Sequence, residues 1–340
     1  MPVLDTRALI EDRVEAIRLA HRQTGVSRAQ LDVSGGVDSS TLLALLVRAL
    51  GSDKITAVYS SIQSSSESLT RAREAASALD LPLIELELGS IFNDIIDECR
   101  RGLRVAGYPL AEIDARNATD PTVLGSIRSC LRAPLGRGLN RMSGGGLRHG
   151  TGNECEDRWL RFFQKGGDGE VDSNPIAMLS KGEVYQLARA LEVPRSVVDA
   201  DPTPDLLGHG DTRNDEDELQ AASNGIPWTY SRISYDSGKY IKVGTIERLS
   251  RLLDRDDTDL LFGNRDPFDN QSPELQHLLA LSALTFPKFD TQSRLGFMKS
   301  ARRWEAETRH KMNPNCPSFG DRATLLSARI LTNTLPGDLP

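Results

Sequence analysis

The 340-residue chain has only four cysteines, Cys99, Cys130, Cys155 and Cys316, and no two of them stand in a Cys-x-x-Cys spacing. That pattern disfavours a structural zinc site and a disulfide framework. No apolar run approaches the roughly 18 residues of a membrane span, and Met1 to Asp12 carries acids where a signal peptide would have an apolar core. A cytoplasmic location is therefore expected. Net positive charge is also lacking: 41 Lys and Arg against 48 Asp and Glu give a formal net charge of -7, which offers no broad basic face to a polyanion. Internal repeats and low-complexity tracts are missing. What is present, 39% hydrophobic and 26% charged residues, is an ordinary globular balance. The length suits one large domain, or one domain with a substantial appendage.

Apolar periodicity organises the first two thirds of the chain. Leu9, Ile10, Val14, Ile17 and Ala20 share one helical face, and Gln30 to Val33 follows as a strand. Ile55 to Ser60 and Leu83 to Leu88 read as further strands, with helices at Glu67 to Leu79 and Gly89 to Arg104. Alternation of this kind predicts a doubly wound parallel sheet in the α/β class, with ligands at the carboxyl ends of the strands. Tyr108 to Thr122 loses its period and reads as a loop or a short irregular helix; Val123 to Leu131 is helical again, and a short strand precedes Gly150. A helix is expected through Trp159, Leu160, Phe162 and Phe163. Ser180 to Leu191 is amphipathic, with Ser180 as N-cap and Glu183 three residues on. From Ala200 to Asp217 the composition is that of a loop, and Gln220 to Pro287 shows only short helical candidates at Thr245 to Leu253 and Glu274 to Leu284.

The chemistry concentrates where the first strand ends. Ser34-Gly35-Gly36-Val37-Asp38-Ser39-Ser40 joins Leu31-Asp32-Val33 to an apolar helical run. Two glycines let the backbone approach an anion, the serines add hydroxyls, and the unpaired N–H groups that open the helix point into the turn. Asp38 would repel bound phosphate unless a divalent cation lay between, which points to magnesium nucleotide. No Gly-Lys-Ser or Gly-Lys-Thr follows, so this is not the Walker pattern. A second string, Gly150-Thr151-Gly152-Asn153-Glu154-Cys155-Glu156, offers Glu156 either as a second metal carboxylate or as a solvated acid at a helix start.

The first string resembles the signature of the PP-loop ATP pyrophosphatases, which implies their fold and cleavage of ATP between its α- and β-phosphates. The second, with Phe162-Phe163-Gln164-Lys165-Gly166-Gly167-Asp168-Gly169-Glu170-Val171-Asp172-Ser173-Asn174-Pro175-Ile176, resembles the NAD synthetase branch. That resemblance implies Glu156 as metal ligand beside Asp38, with Thr151 on the nucleotide. It puts Arg132, Lys165, Asp168 and Asp172 where the family handles a carboxylate substrate and ammonia, and Lys181 on ATP phosphate. Pro202-Thr203-Pro204-Asp205-Leu206 is similar to the family's pyrophosphate segment, with Thr203 as phosphate ligand and Asp205 beside substrate. Asp215-Glu216-Asp217-Glu218-Leu219 and Arg309-His310-Lys311 match two further family runs, the second implying that His310 and Lys311 return toward substrate.

The implied reaction is adenylation of a carboxylate by ATP with Mg2+, then attack by ammonia, with Asp168 orienting or deprotonating the ammonium. The expected organisation is a synthetase-like domain over 1–219, a divergent helical segment over 220–295, and a segment over 296–340 that returns to the active site. Ammonia would come free or from a separate donor protein, since no recognisable glutaminase cysteine is present. A homodimer with helices near 118–142 at its interface is also implied. Departures fall on the acid side: Cys130 stands where the family has an arginine, Gly166 replaces a tyrosine and Glu170 a glycine. Deamido-NAD is thus one expected substrate and another carboxylic acid the alternative. A tRNA-thiolating enzyme using Cys130 or Cys155 is disfavoured by the acidic charge, and a non-catalytic nucleotide-binding module by the retained carboxylates, Lys181 and Thr203.

Overall fold

The computed structural model describes residues 3–119, 122–158, 160–203, 214–253, 261–262, 266–268, 274–308, 311 and 322–333. Helix α1 (Thr6–Thr24) starts at Asp5, whose carboxylate accepts from Ala8 N at 2.9 Å. Strands β1 (Ala29–Asp32), β2 (Ile55–Ser61), β3 (Leu83–Glu87) and β4 (Leu147–His149) form a parallel sheet in the order β3-β2-β1-β4. Ala29 pairs with both Ile55 and Leu147, so β1 is central and its far end is flanked on both sides. His149 extends the sheet through a parallel bridge to Ser173.

The connections are the helices that the alternation predicts. Helix α2 (Val37–Leu50) follows β1, α3 (Ser66–Ser77) follows β2, and α4 (Gly89–Val105) follows β3. Leu110–Thr119 is a regular helix, α5, more ordered than its weak periodicity suggests, and α6 (Thr122–Met142) runs well past Leu131 and through Pro134. Leu9, Val14 and Ile17 of α1 pack with Leu31, with Leu42, Leu45 and Leu46 of α2, and with Val184 and Leu187 of α8 (Lys181–Ala190). Continuous burial of this kind is what a parallel sheet covered by helices requires.

A second core lies in the later part of the chain. Trp228, Leu249 of α11 (Thr245–Leu253), Leu278 of α12 (Glu274–Thr285), and Phe297 and Trp304 of α13 (Thr291–Thr308) pack together with Phe286. Phe286 stacks on Phe297 at 4.7 Å, and Trp228 meets Phe297 edge-on at 4.9 Å. Cys155 and Leu160, from the earlier segment, are members of this core, so it closes directly behind the second motif. A buried ion cluster reinforces the join. Glu183 of α8 takes Arg251 of α11 at 2.8 Å and Arg322, of a short helix over Arg322–Ser327, at 2.8 Å.

Candidate active site

The turn from β1 to α2 is built around Gly35. Its φ is +80°, and a Cβ there would lie 2.3 Å from Ser68 O, so both conformation and space require glycine. The serines hold the turn from within: Ser34 Oγ and Ser39 Oγ are 3.0 Å apart, and Ser39 Oγ donates to Gly36 O at 3.1 Å. Arg71 of α3 braces it from outside, its Nε donating to Gly35 O at 3.1 Å. Gly36 caps α2 without a side-chain acceptor, so the first N–H groups of the helix remain available to an anion.

Three charged groups converge beside that turn. Lys181 Nζ lies 2.5 Å from Asp38 Oδ2 and 3.0 Å from Glu156 Oε1. Asn153 assembles the trio: its Oδ1 accepts from Cys155 N and Glu156 N, capping the short helix α7 (Glu154–Asp157), while its Nδ2 donates to Asp38 Oδ1 at 3.1 Å. Lys181 opens α8 behind the Ser180–Glu183 capping box that the spacing predicts. Burial works against the Lys181 charge, but Asp38 and Glu156 outweigh it and hold the ammonium well above the usual lysine value. Burial raises the Glu156 carboxyl, with Lys181 opposing. The nearby Asp215 is pushed up to about 7 by burial, against the pull of Lys181.

These groups open on a cavity of about 280 Å³ whose lining includes Ser34, Gly35, Gly36, Val37, Asp38, Thr151, Glu156, Lys181, Arg132, Asp168 and Thr203. Most of the residues that the sequence singles out therefore meet at one place. Asp168 is aimed by neighbours: Ser129 Oγ and Gln164 N each donate to its Oδ1 at 2.8 Å. Arg132 Nε donates to Ser60 O at 3.1 Å. Lys311 returns from the later chain, donating to Arg161 O at 2.9 Å and Phe163 O at 2.7 Å. Burial lowers its pKa, and the nearby Asp168 opposes that.

The donors fit a magnesium ion. Asp38 and Glu156 bring two carboxylate oxygens together about the Lys181 ammonium, which bridges them, and no cluster of three or more His, Cys, Asp or Glu suited to a metal occurs among the described residues. A hard cation held by two carboxylates and completed by nucleotide phosphate and water matches that oxygen-only set.

The sequence profile of NAD synthase matches residues 9–226. The chain belongs to the NAD synthase family. The NH(3)-dependent NAD(+) synthetase of Thermoplasma acidophilum is 30% identical over 212 residues, 62% of this chain and 79% of that one. Its counterpart from Archaeoglobus fulgidus is 31% identical over 213 residues, covering 62% and 77%. Among solved structures, the NMN synthetase from Francisella tularensis superposes with a TM-score of 0.60 at 16% identity over 91% of this chain and 97% of that one. The NH3-dependent NAD synthetase from Campylobacter jejuni gives 0.57 at 18% over 91% and 98%. The fold likeness thus continues beyond the stretch where the family profile matches. NAD synthase membership makes the chain an ATP-dependent amide-forming ligase.

Some family positions are placed elsewhere. Asp172 does not line the cavity: its carboxylate takes Arg137 at 2.7 Å and the backbone N–H of Arg148 at 2.7 Å, tying α6 to the sheet edge. The Lys165 side chain is exposed and outside the lining. Ser39 and Ser40 are buried behind the turn, so Ser39 shapes the loop from within. No helix runs through 160–163: Asn153 starts α7, the chain turns after Asp157, and Arg161 takes a positive φ of 47°. Trp159, Asp205 and His310 lie outside the described residues.

The cavity also contains residues that the sequence reading missed. Arg148 of β4 reaches it through an ion pair with Asp32 at 2.5 Å, and Tyr59, Arg71, Tyr185 and Asp201 join the lining. None stands in a motif. Only the position of Asp32 at the end of a parallel strand could have flagged it.

Proposed function

We propose that this NAD synthase family member converts deamido-NAD to NAD, adenylating the acid with ATP and transferring ammonia to it. The observation that carries the reading is the triad of Asp38, Glu156 and Lys181, closed at 2.5 and 3.0 Å beside a turn of free backbone donors. A bound magnesium ion would offset charge on the leaving pyrophosphate. The chain's own part is to hold that pyrophosphate through the α2 N–H groups, Ser34, Lys181 and Thr203. At the other end of the cavity, Asp168 is fixed by Ser129 so that one carboxylate oxygen can orient the ammonium and take its proton. Arg132 is the cation placed to meet the acid. Free ammonia is the nitrogen source in this reading, with a separate donor protein as the other supply, and a homodimer through α6 is part of it.

Another carboxylic acid is the second reading, and Cys130 favours it. Burial raises the Cys130 thiol and keeps it uncharged beside Asp168, while Arg128 turns away to Gln63 Oε1 at 2.7 Å. The acid end therefore has fewer cations than the family pattern implies. The test is to supply ATP, magnesium and ammonium with deamido-NAD or with other acids, and to measure AMP, pyrophosphate and amide. Equal yields of NAD and AMP are expected. AMP and amide formed only with a different acid would overturn the deamido-NAD assignment.

A further inference from the structure

Tyr230 lies beyond residues 9–226, where the family profile matches, yet it reaches the charged centre of the site. Its side chain is fully buried in the second core beside Cys155 and Leu160. Its hydroxyl nevertheless has no hydrogen-bond partner among the described residues. A buried phenol left in that condition is uncommon and calls for a reason. The Lys181 ammonium sits over its ring, 5.3 Å from the centre.

The ring is placed by its backbone. Tyr230 N donates to Glu216 Oε1 at 2.8 Å, and Lys242 Nζ holds the same oxygen at 2.7 Å. Thr229 N donates to Thr245 Oγ1 at 2.9 Å. At Gly244 a Cβ would come within 2.4 Å of Thr229 O and of the Tyr230 carbonyl carbon, so glycine is what lets these segments close. Nothing in this arrangement uses the hydroxyl. Burial, then the charges of Glu156, Asp215 and Asp38, keep the phenol protonated, which leaves it a donor in an acidic neighbourhood.

Lys181 is shared between Asp38 and Glu156, and nucleotide phosphate competes for its three N–H groups. When magnesium takes Asp38 and Glu156, Asp215 is the buried carboxyl of this group that loses the pull of Lys181 with no metal to replace it. We propose that Tyr230 is a positioning residue of the nucleotide site: its ring steadies the Lys181 ammonium, and its hydroxyl donates to the Asp215 carboxyl when Lys181 turns to ATP. The assignment rests on the magnesium–ATP reading of the site and is independent of which acid is amidated.

Tyr230→Phe tests it, because the ring and its volume stay. A packing role alone predicts an unchanged or slightly raised thermal midpoint and no change toward nucleotide. The proposal expects that same midpoint together with about tenfold weaker magnesium–ATP binding by calorimetry, and a matching rise in the KM for ATP while the KM for the acid holds. Tyr230→Leu, which also removes the ring face, is expected to bind more weakly still. A wild type that binds magnesium–ATP and loses affinity in Tyr230→Phe, but makes no NAD, would support this role while ending the deamido-NAD assignment. Tyr230→Phe protein that binds magnesium–ATP as tightly as wild type, with an unchanged KM for ATP, would overturn it.

Discussion

The two ends of the cavity are built differently. At the nucleotide end, Asp38, Glu156 and Lys181 are largely buried and bound to each other, with side-chain exposures of 15%, 20% and 3%. At the acid end, Asp168 is exposed and is held by the Ser129 hydroxyl and a backbone N–H, while Cys130 offers no charge. Opposite charges in a dry setting constrain one another strongly, whereas single hydrogen bonds near solvent do not. In the proposed reading the reaction is anchored at the rigid end. That reading leaves the identity of the acid to side chains that can change without disturbing the anchor.

The most severe break in this contrast is Asp38→Asn, which removes one of the two carboxylates. AMP release should fall on the order of 10^3-fold; activity within a factor of a few of wild type would remove Asp38 from the metal centre. Behind the same end, Arg251→Ala would leave Glu183, itself 0% exposed, short of a partner. Denaturant unfolding should show a loss of about 3 kcal/mol or more. At the acid end, Ser129→Ala frees Asp168, and the KM for ammonium should rise about tenfold while the KM for ATP holds. An equal change in both constants would mean that the two ends are not separable.

The smallest effect is one of pH. The Asp215 carboxyl is raised by burial from 3.8 to about 7. Between those values the unfolded chain has released this proton and the folded chain still holds it. Stability therefore falls as pH rises through that window and levels off above it. Asp215→Asn should flatten the decline, read as melting midpoints of magnesium-free protein at about pH 5 and about pH 8. A variant with the same decline as wild type would show that other groups carry it.

The legible part of this protein is the part whose causes are local. Gly35, Gly36 and the serines act within one turn, Ser180 and Glu183 cap within one helix start, and the alternation of strands with helices sets the sheet as parallel. Asp172 misleads for the opposite reason. Its place in a motif suggests substrate, but packing gives it to Arg137 and the Arg148 backbone. The expected helix through 160–163 fails because Phe162 and Leu160 are apolar for the second core, not for a helical stripe.

A parallel α/β sheet and a glycine–serine turn at its centre were legible in the residues alone, and the family resemblance added Glu156 and Lys181 to Asp38. It took the folded chain to show that Arg71 braces that turn, that Arg148 and Asp32 reach the cavity, and that Tyr230 lies under Lys181. Turns and caps are set by neighbours along the chain. These other contacts join residues far apart in it: Arg71 and Arg148 meet their partners because the sheet and helices of the first core pack together, and Tyr230 meets Lys181 because the second core closes beside it.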